Sequence, residues 1–130
     1  MGGDHARTIE QLFNQGGLNA AWRYAKKGVV IEIQVFDPTS GKEKIYALEN
    51  VEGKAVVREG KPEKPDALCT MTPGALEYLA QAEDYVETGR RIYEMRVYPT
   101  EERKLVWETL VTAIEAYEKL FVFYRKLGMN

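Results

Sequence analysis

A chain of 130 residues with 18 basic and 20 acidic side chains carries a formal charge of −2. It is long enough for one buried core and lacks the basic patch of a nucleic-acid binder. Its single cysteine, Cys69, excludes an internal disulfide framework and suits a reducing, cytoplasmic setting. No apolar run approaches the ~20 residues of a membrane span, and the N-terminus lacks a signal-peptide core, so a soluble protein is expected. Glu far outnumbers Asp, and Asn and Gln are scarce, a lean toward a thermophile.

Taken in chain order, residues 1–7 read as a disordered tail and residues 8–127 as one domain. Thr8, with Gln11 three residues on, has capping-box spacing and opens a helix whose Ile9, Leu12 and Phe13 share a face. Gly16-Gly17 breaks it, and Leu18, Ala21, Trp22 and Ala25 resume helical spacing up to Lys27-Gly28. From Val29 to Phe36 the period changes to two, the mark of a strand. Asp37 to Gly41 is a turn by composition, followed by strands at 44–50 and 54–59 with a short reversal between them. Gly60 to Pro65 is a loop, and Asp66 to Thr72 a fourth strand with Ala67, Cys69 and Met71 on one side.

Thr72 caps the next helix and Pro73 takes its first position, where a missing N–H costs nothing. Leu76, Tyr78, Leu79 and Ala82 supply its buried side, and a short helical piece from Glu83 to Thr88 ends at Gly89. Tyr93, Met95 and Val97 alternate with Ile92, Glu94, Arg96 and Tyr98, which predicts a fifth strand at 91–98. Pro99 to Glu102 then begins a final helix from Glu101 to Leu127. At 100° per residue, Glu108, Thr112, Glu115, Lys119 and Lys126 of that helix fall in one narrow arc. The rest is apolar over roughly two-thirds of the circumference, where about 100° would cover a core. Other helices, a partner chain or an apolar ligand must cover the excess. Strands followed by segregated helices make an α+β pattern.

Few residues can carry chemistry. The one histidine, His5, lies in the expected tail, so no triad or histidine-rich metal site can be assembled. Cys69 in mid-strand reads as a packed hydrophobe, and Glu83-Asp84 and Glu101-Glu102 as solvated or capping pairs. Gly16-Gly17 lacks the lysine of a phosphate loop. No enzyme, cofactor or metal is expected. Trp22, Trp107, Tyr117, Phe121 and Tyr124 fit core packing or a lined cavity, and Met71 and Met95 are flexible gap-fillers for either.

The segment Pro65-Asp-Ala-Leu-Cys-Thr-Met-Thr-Pro-Gly-Ala-Leu-Glu-Tyr-Leu-Ala80 resembles the sterol carrier protein two family of small lipid-binding domains. There an Asp opens a strand that runs into a Ser/Thr-capped, Leu-rich helix. Gly89-Arg90-Arg91-Ile92 is similar to the Gly-Lys-Leu/Ile element that starts the family's fifth strand. The likeness spans roughly residues 8 to 125. Two glycines of the pattern are missing, with Ala80-Gln81-Ala82 and Tyr98-Pro99 in their places. The resemblance implies a five-stranded mixed sheet with helices on one face around an apolar tunnel. It also implies non-catalytic binding of a fatty acid, acyl-CoA or similar ligand. The chain ends Gly128-Met129-Asn130, without the peroxisomal tripeptide of many eukaryotic members. Together with the wide apolar arc, this makes Met71, Leu76, Leu79, Met95, Trp107, Ile114 and Phe121 the expected ligand wall. Phe123, some 160° around the helix from Phe121, is the expected mouth or partner-facing residue. The alternative is an interaction module that forms a homodimer or docks a partner enzyme through the C-terminal helix.

Overall fold

The computed structural model describes residues 5–25 and 28–127. The expectations for Met1 to Asp4, for the helix end at Lys26 and Lys27, and for residues 128–130 lie outside the described residues. Helix α1, His5–Asn14, buries Ile9, Leu12 and Phe13. It begins before Thr8, which lies inside the helix and does not cap it. His5, placed by the sequence in a tail, is its first residue and meets the Tyr46 ring edge-on at 6.4 Å. The N–H groups of Gln15 and Gly16 both donate to the Gln11 carbonyl, and the chain turns into the short α2, Asn19–Trp22.

Strands β1 (Val30–Phe36), β2 (Glu43–Val51) and β3 (Lys54–Glu59) form the expected antiparallel meander. The β2–β3 turn has positive φ at both central residues, Glu52 (55°) and Gly53 (87°), the type I′ geometry whose twist matches a hairpin. Strand β4, Ala67–Met71, lies parallel to β1 with Ile33 opposite Cys69. Thr72 caps α3, Pro73–Ala80: its hydroxyl oxygen accepts from Ala75 N–H at 3.2 Å, with Pro73 in the first turn.

Beyond Ala82 the structure departs from the sequence reading. Residues 85–97 form one helix, α4 (Tyr85–Val97), where the sequence suggested a short helix and then a strand at 91–98. Asp84 caps it by accepting from Glu87 N–H at 2.8 Å, and Glu87 in turn ion-pairs with Arg91 at 2.9 Å. Its buried residues, Thr88, Ile92 and Met95, follow the helical period and outweigh the apparent alternation of Tyr93, Met95 and Val97. Gly89 sits inside this helix, so the expected strand-starting role of Gly89 to Ile92 does not hold. The fifth strand is β5, Leu105–Thr109, cut from the segment expected to be helical, and the terminal helix α5 runs only from Ala113 to Leu127. Thr112 starts α5 by accepting from Glu115 N–H at 3.2 Å.

The sheet order is β3-β2-β1-β4-β5, with β1–β4 the parallel pair in an otherwise antiparallel sheet. This is the expected five-stranded mixed α+β sheet with helices on one face. The covered face carries Ile31, Ile33, Val35, Tyr46, Leu48, Ala67, Cys69, Met71 and Leu105, all buried. On the edge, the Asn14 side chain bonds both backbone groups of Ala55, donating to its carbonyl at 2.9 Å and accepting its N–H at 2.8 Å. That pairs edge groups of β3 that would otherwise stand open. Gly17 marks the close approach of the α1–α2 turn to α4. A Cβ there would stand 1.8 Å from Thr88 Oγ1 and 2.8 Å from the Asp84 carbonyl oxygen, so only glycine fits.

Candidate functional site

Every helix except α2 and three of the five strands contribute to one apolar cavity under the helical layer. The sheet supplies Ile33, Cys69, Met71, Leu105 and Trp107 as its floor. Helix α1 and the turn after it supply Ile9, Leu12, Phe13 and Leu18, α3 supplies Leu76 and Leu79, α4 supplies Ile92, and α5 supplies Phe123. Among the described residues, no ionisable side chain except the Cys69 thiol reaches the wall. The enclosed volume is about 30 Å³, room for a water or two, whereas small-molecule sites run to roughly 300–1,000 Å³.

Of the residues expected to line a ligand site, Met71, Leu76, Leu79 and Trp107 border this cavity. Met95 is buried in the core on α4 but does not border the cavity. Ile114 contradicts the expectation, being 73% exposed. Phe121 is also off the wall, stacking on Tyr117 with ring centroids 4.6 Å apart. Phe123, expected to face outward, is 1% exposed and forms the α5 part of the wall. One cause explains all three. The predicted helical stripe of Trp107, Ile114 and Phe121 was anchored on a residue that belongs to a strand. With α5 beginning at Ala113, Leu120 and Phe123 define its inner face. Capping-box spacing at Thr112 and Glu115, and the period-two run Leu105, Trp107, Thr109, are the sequence signals that locate both elements.

Polar contacts at the rim hold α5 in place. The Tyr124 hydroxyl accepts from Trp107 Nε1–H at 2.9 Å and shares a 2.7 Å hydrogen bond with Thr109 Oγ1. Lys119 Nζ donates to Asp66 Oδ1 at 2.8 Å, and Asp66 Oδ2 accepts the Val30 N–H at 2.9 Å. The hydrogen bond to Asp66 raises the Lys119 ammonium above its ordinary pKa. Burial pushes the Cys69 thiol up to about 12, so at neutral pH it is a protonated, unreactive wall group. Behind the wall, Trp22 is wholly buried, and its Nε1–H has no acceptor among the described residues. Its ring stands edge-to-face with Phe13 at 4.9 Å and with Phe123 at 5.6 Å.

Four solved chains match this architecture, among them two at low identity. The UbiJ-SCP2 ubiquinone synthesis protein is 14% identical over 93% of this chain and 89% of its own, with a TM-score of 0.51. Sterol carrier protein domain 2 of Helicoverpa armigera is 16% identical over 95% of this chain and 86% of its own, with a TM-score of 0.50. The fold is that of the sterol carrier protein two domains. No protein-family profile and no curated protein matches the sequence. The sterol carrier protein two fold accounts for a sheet covered on one face, while the wall residues belong to this chain. No helix among the described residues is long and apolar enough to cross a membrane, and no group of three or more His, Cys, Asp or Glu among them could hold a metal ion.

Proposed function

We propose that this protein binds an apolar small molecule, a fatty-acyl or similar lipid, between α5 and the sheet without chemical change to it. The observation that carries this reading is the composition of the cavity wall. The thirteen described residues that line it are apolar apart from the Cys69 thiol, which is held protonated, and they converge from one face of the sheet, four helices and the turn at Leu18 on a single void. Transfer of an alkyl chain into such surroundings yields about 0.8 kcal/mol per CH₂, so affinity needs no charged partner. The sterol carrier protein two fold supports the reading, and the paucity of reactive groups at the wall favours binding over catalysis.

A void of about 30 Å³ admits a lipid only if a wall moves. Helix α5 is the wall helix with the fewest buried residues: among its described side chains only Leu120 and Phe123 are fully buried, and Ile114, Tyr117 and Val122 stand exposed. Extraction of the purified protein and mass spectrometry should find a co-purified lipid, and a fluorescent fatty acid should bind saturably at one site. Trp107→Ala should weaken that binding. Absence of both a lipid and saturable binding would sink the reading.

A second reading has its own observation. Ile114 and Tyr117, 73% and 65% exposed, form with Phe121 an outward stripe on α5 that suits a homodimer or a docked partner. Sedimentation of the parent and of Tyr117→Glu tests it: a dimer that the charge turns into a monomer supports this reading, and a monomeric parent removes the homodimer.

A further inference from the structure

The chain has two tryptophans, and their indole N–H groups fare differently. Trp107 Nε1–H reaches the Tyr124 hydroxyl at 2.9 Å. Trp22, 0% exposed, has a donor with no partner among the described residues. Buried indole donors ordinarily find an acceptor, and a native orphan calls for a physical explanation. The place of this one supplies it. Trp22 touches Phe13 and Phe123, and both of those rings line the cavity. Phe123 also rides on α5, the wall helix with the fewest buried residues among those described.

We propose that the Trp22 indole N–H is the polar anchor of the ligand site, donating to a neutral carbonyl-class oxygen on a long apolar molecule. This rests on the binding reading given above and narrows its ligand. If Phe123 shifts to admit a chain, the ring it leaves exposed is that of Trp22, which touches two wall rings and carries a buried donor with no partner among the described residues. A fatty acid can enter with its carboxylate left at the solvent-facing end, but a carboxylate does not suit the anchor itself, because a buried anion with one neutral donor and an otherwise apolar wall remains largely unpaired. An ester, ketone or quinone oxygen needs only the one bond.

The test uses the whole chain and two uncharged probes, a long-chain methyl ketone and the alkane of equal length. Each displaces an uncharged naphthylamine fluorophore. The parent should prefer the ketone by about threefold to tenfold, the worth of one net hydrogen bond, and Trp22→Phe should lose that preference while still binding the alkane. In the unmodified protein, the Trp22 indole resonance, assigned with Trp107→Phe, should move downfield with ketone and stay with alkane. That measurement decides the matter if Trp22→Phe fails to fold. Equal affinity for the two probes in the parent, or a ketone preference with an unmoved Trp22 resonance, would overturn the anchor and leave the apolar site standing. Binding of neither probe nor fluorophore would overturn both.

Discussion

Phe123→Ala puts the cavity wall to a quantitative test. The ring is 1% exposed and packs against three other aromatic rings, those of Trp22, Trp107 and Tyr124, with centroids 5.6, 6.2 and 6.1 Å away. Truncating a buried Phe costs about 3–5 kcal/mol, more where the surroundings cannot collapse. Stiff aromatic neighbours and a void already present at this point favour the upper half, about 4 kcal/mol. In a domain of this length each kcal/mol moves Tm by about 4 °C, so the loss should be near 16 °C. The vacated space should join the existing void into a dry cavity of roughly 100–150 Å³, large enough for benzene. Benzene at ten times its Kd should then return about 1.4 kcal/mol to the variant and little to the parent. Urea unfolding followed by tryptophan fluorescence, with and without benzene, reads both effects. A loss below about 1 kcal/mol, or no guest stabilisation, would mean that Phe123 does not wall this cavity.

Ile114→Lys, at the 73% exposed start of α5, should change stability by less than about 0.5 kcal/mol in the same unfolding assay, where an inward residue would cost several-fold more. Gly17→Ala drives a methyl to within 1.8 Å of Thr88 Oγ1 and 2.8 Å of backbone, so it should destabilise by about 1–3 kcal/mol and loosen α2 from α4 in amide exchange. Cys69 should resist thiol reagents at pH 8 until the chain unfolds. Because its pKa rises from 9.0 to about 12 on folding, the unfolded chain ionises first, and stability that is full below pH 9 should fall as pH climbs toward 12. Cys69→Ser should flatten that alkaline limb, and an unchanged limb would contradict the assignment.

The first half of the fold was legible because its signals agree with one another. Val29 to Phe36 alternates, Glu52-Gly53 can take the positive φ values of the hairpin, and Thr72-Pro73 is a cap with little competing interpretation. The second half misled where two periods fit the same letters. Leu105, Val106 and Trp107 are consecutive apolar residues and satisfy a helix and a strand equally. Pairing with β4, Trp107 opposite Cys69 and Leu105 opposite Met71, decides for the strand, and that partner is far away in sequence. Tyr93, Met95 and Val97 alternate, yet Tyr93 and Val97 are exposed and only Met95 turns inward. Trp107 therefore reached the site from a different element than expected, whereas Ile114 and Phe121 lost their places with the stripe they depended on. The orphan donor on Trp22 had no sequence signal at all, since it follows from what surrounds the ring.

The parallel neighbours at the middle of the sheet also govern how fast the molecule assembles. Ile31 sits beside Ala67 with the whole β2–β3 hairpin threaded between them. A tight two-residue turn closes within microseconds, but β4 must find β1 by a diffusive search across that hairpin and the Gly60–Pro65 loop. The encounter of β1 with β4 is therefore the step expected to pace refolding, which stopped-flow tryptophan fluorescence would read. Lengthening the loop should slow that search while costing the finished protein only about 0.6 kcal/mol per doubling. Speed and stability part company at this one connection.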